Sequence, residues 1–312
     1  MLEAAPLLPP FLANAALVLA ILALAGGIVG VQLNLRGLEF LGDGLVHSIF
    51  PGVVIGFVLQ GASGTYVGAG IAALIATILL TMAARRGLGD DAATAVVLSG
   101  AFSLGIVIVS TTTAYTGGLE HLLFGQLLTV DRSDLAVVAT LCAIAVAIVA
   151  LTWRYQVMRS FDRAGALAAG VRVGALELAL NLAIALVVVA GARAIGNLLV
   201  LALLIVPPAV GRLASRRLPV IVAIAALAAL VPSLAGLWAS YQLSIRGAAD
   251  VSPSGMVVLA LSAVYLLAAA LRSGADALRP GGRRRRWSPR LAAALIDGAE
   301  PRPARAAAGE GR

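Results

Sequence analysis

The sequence predicts an all-α fold, a polytopic bundle of about eight or nine transmembrane helices. Of the 312 residues, 61% are hydrophobic and only 12% are charged, and the mean hydropathy is +1.00, values outside the range of ordinary soluble domains. Apolar runs of about 20 residues recur along the chain, the length that a helix needs to cross a bilayer. Because lipid offers no hydrogen-bond partners, such segments satisfy their backbone groups internally, as helices.

Nine apolar runs are candidate spans. The second run holds an acidic residue and a histidine in an otherwise apolar stretch, and the seventh contains a double proline. In chain order, we predict spans near residues 12–33, 38–60, 65–84, 92–111, 134–153, 173–191, 194–211, 218–242 and 253–272.

Arginine placement predicts the orientation. All 23 basic residues are Arg, and loops rich in Arg stay on the cytoplasmic side. One orientation leaves only Arg132, Arg193 and Arg246 outside and puts the amino terminus outside and the carboxyl tail inside. Its cytoplasmic segments are residues 34–37, 85–91, 154–172, 212–217 and the part of the chain after 271.

The connecting segments predict three further features. Residues 117–134, GGLEHLLFGQLLTVDRSD, are too short to cross the bilayer twice and predict a short interfacial or re-entrant helix on the external side. Residues 153–177 predict either a short amphipathic helix on the cytoplasmic face, offered to a soluble partner, or an ordinary positive loop. Residues 1–277 form the transmembrane domain, and 278–312 form an Arg-, Pro- and Gly-rich tail that we expect to be disordered and to favour anionic lipid over nucleic acid.

Some chemistry is excluded by residue content. Without lysine, the chain lacks the phosphate-binding GxxxxGK[ST] loop and the amine of Schiff-base catalysis. The single cysteine, Cys142, cannot form an intrachain disulfide.

Asp43 and His47, in LEFLGDGLVHSIFPGVVIGFVLQ, are the first candidate functional residues. Their i, i+4 spacing places a carboxylate and an imidazole on one helix face, and this oxygen and nitrogen pair suits a divalent cation. Ionisable groups within a span are costly, so a function is expected. The alternative is a structural hydrogen bond within the bundle.

Pro51 and Gly52 follow one turn after the pair. Proline removes an amide donor and bends a helix, and discontinuous helices are where transporters bind ions. Gly52 and Gly56 form a GxxxG pair that lets another helix approach closely.

Two other pairs are weaker candidates. Glu120 and His121 could help a metal enter from the external side, but adjacent residues point to different helix faces. Glu177 and Asn181 repeat the i, i+4 spacing, for which we favour a packing hydrogen bond over lining of an exit path.

The ordered motifs resemble the membrane permeases of bacterial ATP-binding-cassette importers for zinc, manganese and iron. The matching stretches span about residues 36–275 and occur in the family's order. They are LEFLGDGLVHSIFPGVVIGF, GLGDDAATAVVLSGAFSLGIVIVS, EHLLFGQLL, SFDRAGALAAG and AIGNLLVLALLIVPPAVGRLAS.

The resemblance implies a type II importer-like permease in a bacterial cytoplasmic membrane, in which Asp43 and His47 handle the metal. It places Phe161, Asp162 and Gly170 in the coupling loop, about 154–172, that contacts the ATPase. It also implies a homodimer, two cytoplasmic ATP-binding subunits and an extracytoplasmic metal-binding protein. The expected cargo is zinc or manganese, with iron as a third candidate, and we expect no permanently bound cofactor and no enzyme activity of the chain's own.

Three alternatives remain at this point. A permease for an iron chelate or corrinoid would share the architecture but needs no ligand pair. A proton-coupled secondary carrier could use an Asp-His pair as a relay. An intramembrane metalloenzyme would need a cluster such as HExxH, which the chain lacks.

Overall fold

A computed structural model describes residues 9–86, 89–111, 125, 127–247 and 251–278, and almost all of these residues are helical. The chain divides into a unit of residues 1–270, which holds the bundle, and a second unit of residues 271–312. The helices are α1 (Pro10–Leu35), α2 (Glu39–Ser48), α3 (Phe50–Gln60), α4 (Gly64–Arg85), α5 (Asp90–Thr111), α6 (Arg132–Phe161), α7 (Arg163–Ala168), α8 (Val173–Ala194), α9 (Asn197–Ala214), α10 (Leu218–Ile245) and α11 (Pro253–Leu278).

The all-α membrane fold is confirmed. The described residues contain nine helical segments that are long and apolar enough to cross a membrane. Each of them overlaps one of the nine predicted spans, and α2 and α3 together form the second, Glu39–Gln60.

The centre of the bundle is built from α1, the α2–α3 span and α8, which are the most buried spans. Helix α1 packs against α6, α9 and α10, and α4 packs against α3 and α8. Leu19, Ile184 and Leu203 are among the fully buried side chains. Helices α5, α6 and α11 leave most of their surface open, which suits lipid contact or a partner.

Helix α6 is longer than predicted. It runs to Phe161, eight residues beyond the expected end, because residues 132–161 contain neither Gly nor Pro to stop it. The predicted cytoplasmic loop therefore begins as the end of a spanning helix.

Charged side chains mark the two ends of α6 and α8. At one end, Asp134 near the start of α6 pairs with Arg193 near the end of α8, at 3.2 Å. At the other end, Arg159 pairs with Glu177 at 2.6 Å. The two helices are therefore antiparallel, and Arg193 lies at the opposite end of the bundle from Arg159.

Candidate functional site

Asp43 and His47 lie on one face of α2, as their spacing predicts. The Nε2 atom of His47 is 3.4 Å from Oδ1 of Asp43, and each side chain is about a third exposed, 31% and 32% respectively. A pair engaged only with each other inside the bundle would be buried. These two side chains touch, and about a third of each remains exposed.

Helix α5 forms one wall beside the pair. The rings of His47 and Phe102 are nearly perpendicular, and their centroids are 5.7 Å apart. The centroid of the Phe50 ring lies 5.4 Å from that of Phe102. A Cβ atom added to Gly44 would come within 2.2 Å of a Thr94 methyl. The close approach of α2 and α5 therefore depends on the absence of a side chain at Gly44.

The span breaks directly after the pair. Helix α2 ends at Ser48, Ile49 lies between the two helices, and α3 begins at Phe50 with Pro51 in its first turn. Because proline has no N–H, the carbonyl of His47 cannot receive its usual bond from residue 51.

Glycines hold α3 against α4. A Cβ atom on Gly52 would lie 2.2 Å from the carbonyl oxygen of Gly68, and one on Gly56 would lie 2.2 Å from that of Gly64. Two GxxxG pairs thus face each other, and the helix that approaches Gly52 and Gly56 is α4. An apolar groove of about 610 Å³ opens beside them, lined by residues of α3, α4 and α5 together with Ser48.

The described residues provide no complete metal site. Within them, no group of three or more His, Cys, Asp or Glu side chains lies close enough to hold an ion. Glu120 and His121, the expected pair for metal uptake at the external face, lie outside the residues that the structure describes. Among the described residues, Asp43 and His47 therefore form a pair that belongs to no larger cluster of such side chains.

The proposed coupling residues surround a sharp turn. Phe161 ends α6 and is 72% exposed. Asp162 is extended, and its carboxylate accepts a hydrogen bond from the N–H of Gly165 at 2.8 Å, which caps α7. Gly170 follows with φ at +76°, a conformation that favours glycine. With Leu167 54% exposed, the turn presents two large apolar side chains.

A charged cluster at the same end of the bundle was not predicted. Arg36, the residue that follows α1, donates to Oε1 of the buried Gln156 on α6, and Gln156 donates to the carbonyl of Leu176 at 3.0 Å. Burial and then the nearby Arg159 lower the pKa of Arg36 to about 10. The polar residue Gln156 stands out in the sequence beside the apolar run of α6. Local spacing does not show, however, that Gln156 pairs with Arg36, 120 positions away.

Glu177 and Asn181 do not pair with each other. Glu177 binds Arg159, and Asn181 donates to the Thr81 hydroxyl at 3.2 Å. Both residues line a cavity of about 20 Å³, enough for about one water molecule. The favoured packing hydrogen bond therefore exists for Asn181, but its partner is on α4.

Comparison with known proteins decides the family. A model of the ABC 3 transport family matches residues 9–272. The chain belongs to this family. It is similar to the manganese transport system membrane protein MntC of Halalkalibacterium halodurans, at 32% identity over 78% of this chain and 80% of the relative. It is also similar to the zinc transport system membrane protein TroC of Treponema pallidum, at 29% identity over 89% of this chain and 94% of the relative.

Solved structures agree with this assignment. PsaBC from Streptococcus pneumoniae, solved in complex with a Fab, matches with a TM-score of 0.72 and 26% identity, over 83% of this chain and 91% of that chain. A metal-chelate type ABC transporter in an inward-facing conformation matches at 0.62 but with 21% identity, which supports the fold alone. The expectation of a multi-pass ATP-binding-cassette permease is confirmed.

Proposed function

We propose that this chain is the permease subunit of an importer that moves a divalent transition metal, manganese or zinc, into the cytoplasm by alternating access. The observation that carries the proposal is the partly exposed Asp43–His47 pair in a membrane span, at a helix break. A carboxylate and an imidazole bind either metal. Relatives named for manganese and for zinc transport agree with this cargo class.

The proposed metal-binding site is shared between two copies of the chain. Zinc takes about four ligands and manganese about six, whereas one protomer offers Asp43 and His47. A homodimer with these residues facing a central pathway supplies two carboxylates and two imidazoles, and water completes the shell. An incompletely closed shell suits transport, because the ion must leave as readily as it binds.

ATP hydrolysis is supplied by partner subunits in this proposal. The lysine-free chain has no phosphate-binding loop of the GxxxxGK[ST] type, and an ATP-binding-cassette family implies such subunits. They dock at the turn around Phe161, Asp162 and Gly170, where exposed apolar side chains surround a capped short helix. An extracytoplasmic metal-binding protein delivers the ion from the other side.

The membrane orientation is part of the same proposal. Arg36 donates to Gln156, Arg212 donates to Asn34 at the end of α1, and Arg159 lies near Arg36. These three arginines lie at one end of the bundle, and the positive-inside rule assigns that end to the cytoplasm. We therefore place the protein in a bacterial cytoplasmic membrane with the amino terminus outside and the carboxyl terminus inside.

The alternatives fit less well. Membership of the ABC 3 family disfavours a proton-coupled secondary carrier. A chelate or corrinoid permease has no need for an exposed ligand pair, and its similarity here is to a structure at 21% identity.

The test is metal accumulation in cells that depend on this transporter. His47→Ala should abolish accumulation at limiting manganese or zinc, while the protein remains inserted and assembled with its ATP-binding subunit. Uptake at the wild-type rate by that variant would refute the assignment. Deletion of the gene for the ATP-binding subunit should have the same effect, and continued uptake would favour the secondary carrier.

A further inference from the structure

The turn between α1 and α2 connects the metal pair to the rest of the cytoplasmic end. It runs through Arg36 and Gly37, and α2 begins at Glu39. Asp43 follows four residues later, about 6 Å along the helix axis, and His47 about 12 Å along it. A shift of this turn therefore moves the helix that carries both proposed ligands.

Two helices, α6 and α9, hold this turn. On one side, Nη1 of Arg212 on α9 donates to the carbonyl and to the side-chain oxygen of Asn34, each at 3.0 Å. Asn34 donates to Glu39 in the first turn of α2, at 2.6 Å. On the other side, Arg36 donates to Gln156 of α6. The position of α2 thus depends on the cytoplasmic ends of α6 and α9.

Gln156 lies five residues before Phe161, on the helix that leads into the turn where the ATP-binding subunit is proposed to dock. It is fully buried, and it holds α6 both to Arg36 and to the carbonyl of Leu176 in α8. Movement of the docking turn can therefore be transmitted through Gln156 and Arg36 to the start of α2.

Some buried donors of Arg36 and Arg159, at this end of the bundle, have no hydrogen-bond partner. The Nε and Nη1 atoms of Arg36 and the Nε atom of Arg159 are buried and make none. Arg36 and Arg159 also repel each other, and Glu177 and Asp90 offset that repulsion. Buried groups without partners are uncommon in protein interiors, and donors of this kind are available to a junction that changes partners during a cycle.

We propose that the hydrogen bond between Arg36 and Gln156 couples the ATPase docking turn to α2 and so positions Asp43 and His47 for metal capture and release. This inference rests on the proposed metal importer function. Arg36 and Gln156 are positioning residues, because neither needs to touch the metal.

The experiment measures manganese or zinc, whichever the wild-type complex transports, accumulated per ATP hydrolysed in proteoliposomes that contain the permease, its ATP-binding subunit and its metal-binding protein. Gln156→Leu and Arg36→Leu should each lower this ratio about tenfold, a usual size of coupling between two sites, with ATP hydrolysis retained. The double variant should be no worse than either single variant, because all three lack the same bond.

The double variant also guards against misfolding. Removing both partners leaves no buried charge unpaired, so it should insert and copurify with the ATP-binding subunit even if a single variant does not. A double variant with the wild-type ratio, or with a loss equal to the sum of two independent effects, would overturn the proposal. A purely structural contribution would lower ATP hydrolysis and transport together, which also contradicts it.

Thr140→Ala is the matched control on α6. Its hydroxyl is exposed and bonds only to the carbonyl of Ala136 in its own helix, so the ratio should not change. The wild-type protein separates the two proposals. Accumulation of neither manganese nor zinc would count against the metal importer function, whereas accumulation of either metal with an unaffected double variant would count against the coupling bond alone.

Discussion

The contact between α3 and α4 can be tested with two identical substitutions on one helix. An alanine Cβ at position 68 would lie 2.0 Å from the carbonyl oxygen of Gly52 and 3.0 Å from Cα of Gly56, whereas at Gly70 no neighbour lies within 4 Å. Ordinary contact begins at 3.4 Å, so Gly68→Ala forces α3 and α4 apart by about 1.4 Å, the difference between 3.4 and 2.0.

The two substitutions share their effect on helix propensity, which favours Ala by about 1 kcal/mol. Overpacking against the backbone lowers stability by about 1–3 kcal/mol, and only Gly68→Ala introduces it. We expect Gly68→Ala to be about 2 kcal/mol less stable than Gly70→Ala in equilibrium unfolding of the purified protein in mixed detergent. Because α3 begins at Phe50, three residues after His47, Gly68→Ala should also slow metal uptake. Equal stability of the two variants would refute the close packing of these helices.

The cytoplasmic end supports two further predictions. Glu177→Ala leaves the partly buried Arg159 without its carboxylate partner and should lower the free energy of unfolding by about 3 kcal/mol. The apolar double variant Arg159→Met with Glu177→Leu should recover most of this loss. A double variant as unstable as Glu177→Ala would contradict the ion-pair explanation. Asp162→Ala removes the cap of α7, which contributes about 1 kcal/mol, and should weaken copurification with the ATP-binding subunit. Asp162→Asn keeps a capping oxygen and should bind the subunit normally. Equal binding by the two variants would contradict docking at this turn.

Most of the fold was predictable because membrane spans are encoded locally. A run of about 20 apolar residues must be helical in lipid, and each predicted span corresponds to a helix. The end of α6 was not predictable from hydropathy, since helix-forming residues continue the helix beyond the apolar core until Asp162 breaks it.

The candidate site was predictable only in part. The i, i+4 rule places Asp43 and His47 together because both lie on one helix. The same rule failed for Glu177 and Asn181, whose partners, Arg159 and Thr81, come from other helices. Contacts between distant segments depend on how helices pack, which a single sequence does not encode in its local spacing.

Transport by the reconstituted complex tests the central claim, that the metal passes Asp43 and His47, most directly. The measurement is ATP-dependent uptake by proteoliposomes of radioactive manganese or zinc, whichever the wild-type complex transports. Asp43→Ala is compared with Asp91→Ala, which removes an exposed carboxylate in the first turn of α5. Asp43→Ala should lose uptake while the complex still assembles and hydrolyses ATP, and Asp91→Ala should transport normally. Equal uptake by the two variants would contradict the account.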